Sequence, residues 1–126
     1  LDTIAYSEYF RKIIGQGVFN RFVLRYVDRN RASLEKKYKD FESFKRRFNP
    51  AVEMDHLISF AEQEGITYVE DDWNLSASRI MLLFKAYVAR DLWETDKFYE
   101  IYNESDPIFQ RAREILVNPE FYVDKL

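Results

Sequence analysis

Cysteine is missing from the 126 residues, and glycine and proline are scarce at three each. The first absence removes disulfides, thiolate nucleophiles and cysteine-ligated zinc or iron–sulfur centres; it leaves the redox compartment open, because an oxidising space also holds cysteine-free chains. The second leaves too little turn chemistry for a meander of short strands, which needs a turn signal roughly every 8–12 residues. Histidine is represented once, by His56, and one imidazole without cysteine or a second histidine cannot make a zinc site of ordinary composition. Its expected role is at the surface or in capping. Long apolar runs are lacking as well. Ile80 to Phe84 is the longest, far short of the ~20 residues of a membrane-spanning helix. A charged-then-apolar leader is not seen, and the chain opens on Leu1, so the expectation is an excised piece or mature fragment, any targeting information lying upstream. Nor is there excess positive charge: 19 Lys and Arg against 22 Asp and Glu give a net charge of −3, so the whole-protein field does not attract nucleic acid or anionic lipid.

What the chain does hold is rings. Eleven Phe, nine Tyr and two Trp can each bury roughly 150–250 Å², enough for a sizeable core without metal or disulfide staples. One compact domain over 1–126 is expected, with no internal repeat and no linker-like segment.

The apolar spacing is helical. From 6 to 38, Tyr6, Tyr9, Phe10, Ile13 and Ile14, then Val18, Phe19, Phe22, Val23, Tyr26 and Val27 recur at intervals of three and four, the mark of one helical face. Gly15 and Gly17 interrupt the pattern and predict a break between a short helix and a longer one. Asn30 is a candidate cap for a further segment holding Leu34 and Tyr38, and Asp40 for one in which Phe41, Phe44 and Phe48 share a face. Asn49-Pro50 stops that one. A helix over about 52–64 buries Leu57, Ile58 and Ala61 and closes at Gly65; 66–69 is extended, and Glu70-Asp71-Asp72 suits a helix N-terminus. The segment from about 71 to 93 carries Ile80, Leu83, Phe84, Tyr87, Val88 and Leu92 on a stripe that Met81 and Leu82 widen, which places it mid-bundle or under a partner. Thr95 or Asp96 begins a short helix through Tyr102. Asp106-Pro107 begins another, with Ile108, Ala112, Ile115 and Leu116 inward and Asn118-Pro119 at its end. The fold class read from this is all-α: a single compact bundle of six to seven helices in irregular, orthogonal packing.

Reactive constellations are harder to find. Ser33 with Lys36 or Lys37 has the spacing of a Ser–Lys pair, but no turn presents Ser33, and solvated helix surface is the expected reading. Ser76 and Ser78 are likewise assigned to helix surface. Gly15-Gln16-Gly17 lacks the third glycine, lysine and preceding strand of a phosphate loop. Glu62, Glu64, Glu70, Asp71 and Asp72 are close in sequence, yet their spacing is not that of a calcium loop, and an acidic helix start accounts for the last three. No catalytic, cofactor-binding or metal-ligating residue is therefore assigned, and no cofactor. Charge is two-ended: residues 29–47 hold eight Lys or Arg against three acids, and 53–72 hold seven acids without Lys or Arg. Mutual attraction of these segments, or a partner surface, is expected in preference to nucleic acid.

Asp2-Thr3, then Tyr9, Ile13 and Gly17, the run from Phe19 to Arg31, Leu34, Lys37-Tyr38 and Phe41-Glu42-Ser43-Phe44 resemble the C-terminal region of Bacteroidetes-type carboxy-terminal processing, or tail-specific, serine proteases. Glu64-Gly65-Ile66, Ala89-Arg90-Asp91-Leu92-Trp93 and Asn103-Glu104-Ser105-Asp106-Pro107 continue the likeness in order over nearly the whole chain. The resemblance implies a parent with a Ser–Lys dyad and a PDZ domain, both upstream, so no family active-site residue maps onto this chain. It further implies a bacterial periplasmic or cell-envelope protein, exported or lipid-anchored. The function so implied is that of a non-catalytic helical domain docking on, or scaffolding, the protease core of the same parent, with a protein substrate or a second copy as further partners and no nucleic acid or membrane span. The alternative is an independent helical interaction module that recognises a protein partner through exposed aromatics such as Trp73, Tyr99 or Tyr102.

Overall fold

A computed structural model describes residues 7–104. Among them are six α-helices, one 3₁₀ turn and no strand, so the all-α fold is as the spacing predicts. The helices are α1 (Glu8–Gly15), α2 (Val18–Lys37), α3 (Phe41–Arg47), α4 (Met54–Gln63), α5 (Glu70–Leu92) and α6 (Thr95–Glu104), with the 3₁₀ turn Pro50–Glu53 before α4. Asp2, Thr3, Tyr6 and the helix expected after Asp106 lie outside the described residues.

Local chemistry sets most boundaries. Gly17 takes a φ of 76° between α1 and α2, and Gly65 a φ of 93° after α4, a left-handed region that costs a side-chain-bearing residue roughly 1–2 kcal/mol. Asp40 accepts a hydrogen bond from the Ser43 amide at 2.8 Å and so starts α3; Asn49 accepts one from Ala51 at 3.0 Å and starts the 3₁₀ turn. That turn occupies the positions where a helix from 52 was expected, because proline at its first position and the Asn49 cap favour a tighter turn. Asn30 is not a cap. It lies inside α2 and its side-chain amide donates to the Tyr26 carbonyl at 2.8 Å, a back-bond that satisfies the side chain without stopping the helix.

α5 runs through the centre. From Arg79 to Trp93 every side chain is buried or half-buried, and α1, α2 and α6 all pack on it. Phe84, fully buried, meets Phe22 at 5.7 Å, Tyr26 at 5.1 Å and Phe48 at 6.2 Å between ring centroids. Phe41, Phe44 and Phe48 turn inward as their spacing predicts, and Phe41 and Phe44 meet Trp93 at 5.7 and 5.4 Å. Tilted and edge-on pairs dominate, the arrangement favoured by ring quadrupoles. Ile14 and Ile58 depart from expectation: Ile14 is exposed at the end of α1 and Ile58 half-buried, each at the edge of its helix's apolar face.

α5 also completes α1 from the far side of the sequence. Ser7 caps α1 by accepting from the Phe10 amide at 3.2 Å, while Asp72 accepts from the Tyr9 amide at 3.3 Å. Ser76 accepts from the Ser7 amide at 3.3 Å, and the two hydroxyls share a hydrogen bond of 2.9 Å. Three amides near the start of one helix, donors that would otherwise be orphaned, thus find acceptors, two of them on another helix.

Candidate functional site

A trough of about 540 Å³ lies among the described residues, between α2 and the α4 side of the molecule. Its floor is aromatic. Phe22 and Phe60 meet at 5.9 Å, with Tyr26 beside them on Phe84. Arg25 and Arg29, one turn apart on α2 and both exposed, form one wall. The Arg25 guanidinium lies 5.3 Å above the Phe60 ring, a cation–π contact that leaves its N–H groups free for an anion. Arg29 has no hydrogen bond or ion pair among the described residues.

The opposite wall comes from Glu53, His56, Ser59 and Gln63. His56 Nδ1 lies 3.1 Å from Glu53 Oε1 and the ring is 73% exposed, so the single histidine stands at the surface, beside the start of α4, as expected. Burial first and the Glu53 carboxylate second push the Tyr26 hydroxyl up to about 12; both disfavour the phenolate. Tyr26 therefore presents a neutral ring at ordinary pH, in edge-on contact with Phe48 and Phe84. The sequence reading missed the trough, because its walls are some 30 residues apart and become neighbours only when α2 packs on α4. The local signal was present in two arginines one turn apart above an aromatic stripe, but nothing in the sequence pairs that stripe with Phe60.

The other candidates stand as follows. Ser33, Lys36 and Lys37 are exposed on α2, and Lys37 Nζ lies over the Tyr38 ring at 5.6 Å. Gly15 to Gly17 form the α1–α2 corner. Ser78 is exposed, but Ser76 corrects the surface reading: it is fully buried against Ser7 because α1 covers that side of α5. Of the five carboxylates, Glu64 pairs with Arg21 at 2.7 Å and Asp72 binds the Tyr9 amide, and no group among the described residues could hold a metal ion. The basic and acidic segments make their cross-chain ion pairs elsewhere, Lys45 with Glu100 at 3.7 Å and Glu64 with Arg21. Trp73 and Tyr102 are half-buried rather than exposed. Trp73 packs at 6.3 Å on Tyr9, and Tyr102 stacks at 5.6 Å on Phe98 and accepts from Arg79 at 2.7 Å. Tyr99 is exposed, at 55%. No helix among the described residues is long and apolar enough to cross a membrane.

No curated protein matches the chain, and no solved structure does. A model of a family of unknown function, DUF8443, matches residues 9–94, which runs from α1 to just beyond α5. That span is the aromatic core and the trough together, and covers more than half of the sequence, so the chain belongs to the DUF8443 family.

Proposed function

We propose that this chain is a non-catalytic helical domain of a tail-specific serine peptidase, one that docks on or scaffolds the protease core in proteolysis of periplasmic and envelope proteins. The observation that carries the reading is the ordered likeness of its strings, from Asp2-Thr3 to Asn103-Glu104-Ser105-Asp106-Pro107, to the region that follows the catalytic domain in those proteins. The geometry is in keeping with it. Ser33 and its lysines are spread over a solvated helix, Ser76 is engaged in capping α1, and the aromatic side chains that could line a substrate cleft are mostly committed to the core.

The experiment has two arms. Incubated with a panel of unstructured peptides, the chain alone should release no fragments detectable by mass spectrometry; removing it from its parent should change the parent's stability, assembly or choice of substrate. Peptide hydrolysis by the chain alone, or a parent indifferent to the deletion, refutes the reading.

A second reading, an independent helical interaction module, draws on the exposure of Tyr99 and Leu24, at 55% and 57%. Light scattering separates the two. A self-sufficient module shows a defined oligomer or partner at micromolar concentration, whereas a docking domain is monomeric or only weakly self-associated.

A further inference from the structure

We propose that the trough between α2 and α4 is a peptide-docking site, and that its partner is an extended segment in which an aromatic side chain is flanked by acidic residues. The inference deepens the docking reading by naming the chemistry of the partner.

Three observations fix that chemistry. The floor of Phe22, Tyr26 and Phe60 is apolar and ringed, and accepts a flat hydrophobic side chain in offset or edge-on contact. Arg25 and Arg29 project from one wall, the first held over Phe60 and the second unpaired among the described residues. Two guanidinium groups one helical turn apart, about 6 Å along the axis, suit the spacing of about 6.6–6.8 Å between alternate residues of an extended chain, each taking one carboxylate through paired N–H donors. Lastly, the trough is open: Arg25, Arg29, His56, Ser59 and Gln63 along its rim are all exposed. A small molecule is ordinarily enclosed over most of its surface, and this site would leave much of one in water. A chain running along the trough uses both the floor and the rim. Ser59 and Gln63 supply uncharged donors and acceptors for its backbone, and Glu53, already beside His56, places negative charge opposite the arginines, which sets the side on which acidic groups bind.

The complementary charge distinguishes this surface from the rest of α2. Beyond the trough, the exposed cations Lys36, Lys37 and Lys39 adjoin no comparable ring floor, since Tyr38, Phe41 and Phe44 beside them are buried. They attract anions without selecting among them.

The test uses the full 126-residue chain and a fluorescein-labelled, end-blocked peptide, Gly-Asp-Phe-Asp-Gly-Gly, with two controls: one in which Lys replaces both Asp, and one in which Ala replaces Phe. Fluorescence polarisation should give saturable binding of the first peptide and affinities weaker by about tenfold or more for each control. Amide shifts in an NMR titration should cluster at Phe22, Tyr26, Asn30, Phe60 and Gln63. Arg25→Glu with Arg29→Glu should abolish the binding while leaving the melting temperature unchanged within a few degrees, and Arg25→Lys with Arg29→Lys should keep part of it. Should the double reversal unfold the chain, Gln63→Glu, at the exposed rim, provides the alternative, because the added carboxylate should repel the acidic residues of the peptide and weaken its binding. Equal binding of the Lys-flanked peptide, shifts outside the trough, or no saturable binding overturns the proposal. So does phenylacetate producing the same shifts at the same concentration, which would make the trough a small-molecule site. A trough that binds no peptide in a domain that still alters its parent on deletion refutes this inference alone; the deletion arm refutes the docking reading alone.

Discussion

Single side chains already carry consequences that can be measured. Tyr9 is 2% exposed, packed edge-on against Tyr68 and Trp73, and its hydroxyl has no hydrogen-bond partner among the described residues. An unpaired buried hydroxyl costs stability that its removal recovers. Tyr9→Phe is therefore expected to leave the fold intact and to be neutral or stabilising by up to about 1 kcal/mol in urea denaturation. A loss of more than that would mean the hydroxyl has a partner. Titration gives a second consequence. Burial pushes the phenols of Tyr9 and Tyr26 up to about 12 from the ordinary 10.0. A raised pKa means that the folded state prefers the neutral ring, so the contribution is complete below pH 10 and is lost as pH rises from there towards 12. Lys85 works in the opposite sense, since burial lowers its pKa from 10.5 and its contribution grows as pH climbs to that value. Melting temperature should accordingly fall between pH 10 and 12, and fall less in Tyr26→Phe; an unchanged pH slope in that variant would remove Tyr26 as a cause.

At the scale of elements, the clearest device is the capping of one helix by another. Ser76 on α5 accepts from the amide of Ser7, 69 residues away, inside the packed α1–α5 contact where water cannot substitute. Ser76→Ala is expected to destabilise by about 1–3 kcal/mol, the cost of leaving a buried donor unpaired, read as a shift of the urea midpoint at constant slope. Ser78→Ala, on the exposed side of the same helix, should change it by less than about 0.5 kcal/mol. The contrast between these two serines also shows where sequence reading succeeds and where it stops. Breaks at Gly17 and Gly65, the Asp40 cap and the Asn49-Pro50 stop are decided by neighbours within four residues, and each was legible. Asn30 was misread because a side chain that can cap a helix can equally bond back to it, and the continuing apolar stripe, with Leu34 buried, decides the matter. Ser76 and the trough were illegible for one shared reason: both depend on which helix faces are brought together, and periodicity describes a face without naming its partner.

Taken as a whole molecule, the chain is organised about the middle of α5, where Phe84 gathers rings from α2 and the segment after α3. Truncation there cannot be relieved locally, because its neighbours are themselves held by other contacts. Phe84→Ala is expected to cost about 3–5 kcal/mol, measurable as a fall in melting temperature of more than ten degrees or as failure to fold, whereas Leu24→Ala, 57% exposed, should cost less than about 0.5 kcal/mol. If both variants melted alike, the centre of the structure would lie elsewhere.

The two tryptophans fall near opposite ends of α5, Trp73 against Tyr9 and Trp93 against Phe41 and Phe44. At a rise of about 1.5 Å per residue they sit about 30 Å apart along one rod. Each is thus a built-in optical gauge of a different district of the molecule. With one replaced by phenylalanine, the emission of the other reports whether its own end loosens first, so that stopped-flow traces from the two variants time the two ends separately with no dye attached.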